Sequence, residues 1–146
     1  MRLTATFPPA HRVDARADWL HSPAMVRTAL LLVDHGSRRA AANENLAAVA
    51  KLARERMGPG AIVEVAHMEL AEPTIAQAFD ACVAAGAESV VVFPWFLADG
   101  RHAREDIPRL VAEAAAKHPG VERRVTGPFG PHALLVEAAL TIAGLA

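Results

Sequence analysis

From residue 27 onward, apolar positions recur in two alternating periods. Ala29-Leu30-Leu31-Leu32-Val33 is an unbroken apolar run, the pattern of a strand covered on both faces. Between Asn43 and Met57, the residues Leu46, Val49, Ala50, Ala53 and Met57 fall at helical spacing, and Gly58-Pro59-Gly60 stops the helix. Ile62-Val63-Glu64-Val65-Ala66 predicts a second strand. Glu72-Pro73-Thr74 then opens a second helix, with proline near its first turn, where a missing N–H costs nothing. Gly86 closes that helix, as a residue free to take positive φ should. A third strand follows at Ser89–Phe93 and a third helix over 103–118, ended by Pro119-Gly120. The weakest strand is Val121–Thr126, where Arg123-Arg124 marks a sheet edge. Ala133–Ala143 is the last helix.

Four β–α units in succession predict an α/β fold, a four-stranded parallel sheet with helices on both faces and right-handed crossovers. Ligands of such sheets bind beyond the carboxyl ends of the strands, so the residues after each strand carry the chemistry. They are Asp34-His35-Gly36-Ser37-Arg38-Arg39, His67-Met68-Glu69-Leu70-Ala71-Glu72, Pro94 through His102, and Gly127 through His132. Each of the four loops holds a histidine, and together they take four of the chain's seven. Four of the seven aromatic residues (Phe93, Trp95, Phe96, Phe129) gather at the same ends.

Histidine suits both metal and proton, because its neutral ring nitrogen is a good ligand and its ordinary pKa lies near 6.5. His35 follows a buried strand and precedes Gly36, which lets a ligand approach the backbone. His102 enters a helix from an extended loop. His67 and His132 stay open between a role in the site and a hydrogen bond to neighbouring backbone. His118 belongs at a helix C-terminus, where a cation is favoured in any case. Glu69 stands between two apolar residues and is a candidate proton acceptor or metal partner. Ser37, Arg38 and Arg39 precede the first helix, where N–H groups and basic side chains suit an anion. Arg101 and Arg104 extend that set. Trp95 and Phe96 cannot both point inward from one strand. Cys82 reads as a small buried hydrophobe.

Composition narrows the class. The 146 residues, 53% hydrophobic and 21% charged, describe one folded domain rather than a disordered chain. One cysteine leaves no internal disulfide and no paired motif for zinc or an iron–sulfur cluster. A formal charge of −1 gives no reason to expect nucleic acid, and no apolar run is long enough to span a membrane, so a cytoplasmic setting is expected. Residues 1–26 show no sustained period and read as an N-terminal extension to a domain over 27–146. Alternatives are a short helix around Asp14–Leu20 docked through Trp19, or a true start at Met25. The loop Asp34-His35-Gly36-Ser37 lacks the glycine spacing of a phosphate cradle, and Ser37 lacks the frame of a hydrolase elbow.

The stretches Val33 through Arg39 and Ala66 through Ile75 resemble the class II chelatase family, in particular its single-domain sirohydrochlorin chelatases. Phe96-Leu97, Gly100-Arg101-His102, Asp106-Ile107-Pro108 and Gly127 through His132 extend the likeness over about residues 28–142. Asp34 before His-Gly-Ser and Arg38-Arg39 after it are most similar to plant-type sirohydrochlorin ferrochelatases, without their cysteine-containing tail. The resemblance implies one chelatase-like (flavodoxin-like) domain and an ATP-independent lyase that inserts Fe²⁺, or next Co²⁺, into a sirohydrochlorin-type tetrapyrrole of sirohaem or cobalamin synthesis. No permanently bound cofactor is implied, the ion being a substrate. His35 and His102 map onto the catalytic and metal-holding pair, with Glu69 as assistant. Trp95 and Phe96 would hold the macrocycle face, Arg38, Arg39, Arg101 and Arg104 would meet its carboxylates, and Ser37 counts with them as a binding residue. Longer members fuse two such domains, so a single domain implies a homodimer. A metal or tetrapyrrole carrier on the same fold is the rival reading. A histidine-phosphatase-like enzyme is a third, opposed by Asp34 where that family has arginine.

Overall fold

The computed structural model describes residues 26–146. The expectations for the extension, but for Val26, lie outside the described residues. Four strands form the sheet, β1 (Thr28–Asp34), β2 (Ile62–His67), β3 (Ser89–Pro94) and β4 (Glu122–Val125), in the order β2-β1-β3-β4 and all parallel. β4 pairs only with β3, and Arg123 and Arg124 are exposed on this edge strand. Strand order reverses between β1 and β3. The carboxyl ends of those two strands are therefore the switch point where open α/β sheets bind ligands.

Helix α1 (Ala40–Met57) packs Leu46 and Ala50 against Leu32 and Val63 on one sheet face. Helices α2 (Ile75–Ala84) and α3 (Ile107–Ala115) close the other face, where Leu31, Val33, Phe79, Val90, Val92, Ile107 and Val111 are fully buried. Alternate residues of β1 and β3 thus feed two cores, which is why both strands read as continuous apolar runs.

Three local features differ from the sequence pattern. Pro73 stands before the second helix rather than in its first turn. Thr74 is the cap: its hydroxyl accepts from the Gln77 N–H at 3.2 Å, and the Gln77 side chain accepts from the Thr74 N–H at 2.8 Å. The Pro73 carbonyl is held at the end of β2 by the His67 N–H, at 2.8 Å, which keeps it outside the helix. The third helix is not one element over 103–118. A π-helical turn over His102–Asp106 precedes α3, and the Ile107 N–H reaches back five residues to the His102 carbonyl. Pro108 explains the break, since it has no N–H to continue an α-helical ladder behind it. Finally, α4 (Ala133–Ala143) forms at the expected residues but buries none of them. Among the described residues no helix is long and apolar enough to cross a membrane.

Candidate functional site

Backbone pairing between β1 and β2 continues past the strands. The Met68 N–H donates to the Asp34 carbonyl at 2.9 Å and the Glu69 N–H to the His35 carbonyl at 3.1 Å. This extension holds His35 and Glu69 side by side, with His35 Nε2 at 2.8 Å from Glu69 Oε1. Gly36 makes the turn possible. Its φ is +89°, and a Cβ there would stand 1.9 Å from the Glu69 carbonyl oxygen, a distance no side chain tolerates. Leu70, just beyond Glu69, also takes a positive φ of 68°, an uncommon conformation for a non-glycine residue.

From β3, the loop through Gly100 delivers His102 to the same place. The rings of His35 and His102 meet edge to face with centroids 5.2 Å apart. His102 Nδ1 lies 2.8 Å from Asp106 Oδ2. The carboxylate accepts a hydrogen bond from Nδ1–H, which leaves Nε2 as the ligand atom. This is the carboxylate–histidine arrangement that orients metal-binding imidazoles. His102 and Asp106, four residues apart on the π turn, lie on one side of it. His35, Glu69 and His102 are all partly open to solvent, with side-chain exposures of 43%, 52% and 50%. An ion or a flat ring can therefore reach them.

The other histidines divide clearly. His67 is buried, with Nδ1 at 2.5 Å from Asp34 Oδ1, beneath the Gly36 turn. It supports the loop that carries His35. His132 caps α4, its Nδ1 accepting from the Leu134 N–H at 3.2 Å. His118 binds Asp80 at 2.6 Å and stacks on Phe79, away from the site.

Ser37 is committed to local structure. Its hydroxyl accepts from the Arg39 N–H, and its backbone N–H and carbonyl both bond the side chain of Asn43. Arg38 and Arg39 are exposed and form no ion pair among the described residues. Arg101 and Arg104 are not free in the same way, since they lie 3.5 Å from Glu105 and 3.4 Å from Asp99. Trp95 and Phe96 point to opposite sides. Trp95 packs edge to face on Phe129, centroids 4.7 Å apart, on the α1 side. Phe96 packs against the α2–α3 core. Burial pushes the Cys82 thiol up to about 12, so it stays a neutral, inert group. Among the described residues no three His, Cys, Asp or Glu side chains close around a common metal position; the cluster is an open one.

Sequence reasoning missed the supporting residues. Asp106, Asn43 and the Asp34–His67 pair were legible only in part. A histidine followed four residues later by aspartate was the available signal for Asp106.

The CbiX family model matches residues 29–142. The chain is 50% identical over 108 residues to the chloroplastic sirohydrochlorin ferrochelatase of Arabidopsis thaliana, covering 74% of this chain and 48% of that one. It is 44% identical over 91 residues to the sirohydrochlorin cobaltochelatase of Methanocaldococcus jannaschii, covering 62% of each. Among solved structures, the sirohydrochlorin chelatase SirB of Bacillus subtilis subspecies spizizenii in complex with cobalt matches with a TM-score of 0.73 at 34% identity, over 81% of this chain and 50% of that one. A cobalamin biosynthesis CbiX protein from Marinobacter aquaeolei matches with a TM-score of 0.67 at 32% identity, over 80% and 94%. The matched segment thus spans about half the length of the plant relative and of the SirB chain.

Proposed function

This chain belongs to the CbiX family, and from that premise we propose that it is a sirohydrochlorin chelatase, inserting a divalent metal into the tetrapyrrole without ATP. Fe²⁺ is the proposed ion and Co²⁺ the second, because identity is 50% to the plant ferrochelatase against 44% to the archaeal cobaltochelatase. The observation that carries the reading is the open cluster of His35, Glu69 and His102 at the switch point of the sheet.

The chemistry follows from these atoms. Two donors on one six-coordinate ion, each at about 2.1 Å, stand about 3 Å apart. His35 Nε2 and Glu69 Oε1 are 2.8 Å apart, so one ion can replace the proton between them with little movement. His102, its ring centroid 5.2 Å from that of His35, is the second imidazole beside this pair. Insertion exchanges one M²⁺ for two pyrrole protons. As the ion leaves for the ring, it vacates the nitrogen and oxygen atoms that then take those protons, and the net charge of the site is unchanged. The two basic groups and the metal ligands are therefore the same residues. Arg38 and Arg39 supply cations for the carboxylates of the macrocycle. The pairing that the family resemblance implies, a homodimer, is part of the same proposal.

Anaerobic absorbance time courses with sirohydrochlorin and Fe²⁺, Co²⁺ or Ni²⁺ in separate cuvettes test the proposal. Formation of the metallated spectrum faster than without protein is expected for Fe²⁺ and Co²⁺. A saturable spectral shift with no product above the protein-free rate would replace the enzyme by a carrier.

A further inference from the structure

Six glycines among the described residues take a positive φ, and one other residue does, Leu70 at 68°. A leucine side chain crowds its own backbone in this region, a clash that glycine avoids and asparagine tolerates. Packing gives little in return, because Leu70 is 52% exposed. Backbone and solvent both disfavour leucine here. Strain of this kind persists where the surrounding structure enforces it, and it concentrates at sites that bind or react.

The surroundings that enforce it belong to the metal cluster. Leu70 follows Glu69 directly, on the loop between β2 and α2. That loop is closed at its base, where the His67 N–H bonds the Pro73 carbonyl at 2.8 Å. It is tied to the loop of His35 by the bonds from the Met68 and Glu69 N–H groups, and Gly36 fits against the Glu69 carbonyl. In the order β2-β1-β3-β4, the loop of Glu69 follows the strand on one side of β1, and the loop that delivers His102 follows the strand on the other. The second loop carries a bare leucine of its own, Leu97, 73% exposed.

The substrate proposed for this cluster is a flat tetrapyrrole, apolar on its faces and anionic at its rim. Arg38 and Arg39 supply cations for the rim. The face needs an exposed apolar partner beside the metal ligands. Trp95 and Phe96 point to opposite sides, one onto Phe129 and the other onto the α2–α3 core, so a single flat face cannot rest on both.

We infer that Leu70 is a substrate-binding residue, an apolar support for the macrocycle face beside Glu69, with Leu97 as a second support from the loop of His102. The inference rests on the proposed substrate and adds the residues that meet its face. A loop pinned at its base has little backbone left to order on binding, which favours affinity.

Absorbance titration of metal-free sirohydrochlorin into the full chain tests it, with wild type, Leu70→Gly, Leu70→Asn, Leu70→Met and Leu97→Ser. Urea denaturation controls for the fold, and a Co²⁺ titration without tetrapyrrole controls for the neighbouring Glu69. Glycine and asparagine suit the backbone, so both variants should keep or raise the urea midpoint and leave Co²⁺ affinity unchanged. The Kd for sirohydrochlorin should rise about five- to tenfold in each, the scale of covering half a leucine side chain. Leu70→Met, which keeps the apolar volume, should stay near wild type. Leu97→Ser should weaken binding as the Leu70 variants do, and an unchanged Kd there removes the second support alone. Wild-type sirohydrochlorin affinity in both Leu70→Gly and Leu70→Asn overturns the inference. So does a lower urea midpoint or weaker Co²⁺ binding in both, which would place the role of Leu70 in the fold or in Glu69. No binding by wild type overturns the inference and the proposed substrate together. Binding without turnover in the insertion assay rejects the chelatase alone, and the same Kd values then decide the contact with Leu70.

Discussion

Removing the Asp106 carboxylate isolates the contribution of imidazole orientation to catalysis. Asp106 Oδ2 lies 2.8 Å from His102 Nδ1, the two side chains being 27% and 50% exposed. A hydrogen bond to a charged group contributes roughly 1.5–3 kcal/mol when sheltered, and solvent at this position places the loss at the lower end. The π turn that aligns the pair is held by backbone bonds and by Pro108, so the fold does not depend on the carboxylate. Asp106→Ala should therefore lower kcat/KM for metal insertion about tenfold, within the span seen for partners of metal-binding histidines. Urea denaturation should show a stability change under about 0.5 kcal/mol, as for exposed substitutions. Asp106→Glu, which keeps a carboxylate, should recover part of the rate, while Asp106→Leu should not. Wild-type insertion kinetics in folded Asp106→Ala would refute the orienting role of the carboxylate.

Other outcomes follow from the same geometry. Gly36→Ala must displace the Glu69 carbonyl and take a positive φ; it should cost at least about 2 kcal/mol in urea denaturation and abolish insertion. Phe79→Ala empties a fully buried position between the sheet and α2, with an expected loss of about 3–5 kcal/mol read as a lower urea midpoint. Thr74→Ala breaks the capping box of α2 and should lower stability by about 1 kcal/mol without changing insertion kinetics. With its thiol pushed up to about 12, Cys82 should resist a disulfide exchange reagent at pH 8 in the native protein. It should react within minutes in denaturant, so rapid native labelling would contradict its burial.

The alternating pattern made the sheet legible because strands buried on both faces and helices buried on one leave different apolar periods. All four strands and α1, α2 and α4 follow from it within a few residues. Pro108 was visible in the sequence, but its effect on the turn at His102 was not, because a π turn differs from an α turn only in which N–H meets which carbonyl. The loops that carry His35, Glu69 and His102 were found from topology: strand ends at a switch point must hold the ligand chemistry. What the pattern could not show is the geometry between loops. Neither the 2.8 Å approach of His35 to Glu69 nor the 2.5 Å pair of Asp34 and His67 has a period, since each depends on the register between β1 and β2. The opposite facing of Trp95 and Phe96 was legible from strand alternation. The lack of cover over α4 was not, because an apolar helix reads the same whether its own chain or another buries it.

Anaerobic metal insertion into sirohydrochlorin by His35→Ala and His102→Ala, beside wild type and the protein-free control, tests the shared role of ligand and base most directly. Each variant removes one of the two imidazoles in the cluster. With circular dichroism unchanged, each should lower the rate by about 10²-fold or more, the scale of a lost acid–base group. Wild-type rates in either folded variant would remove that histidine from the mechanism, and with it the cluster at the switch point as the place where the metal enters the ring.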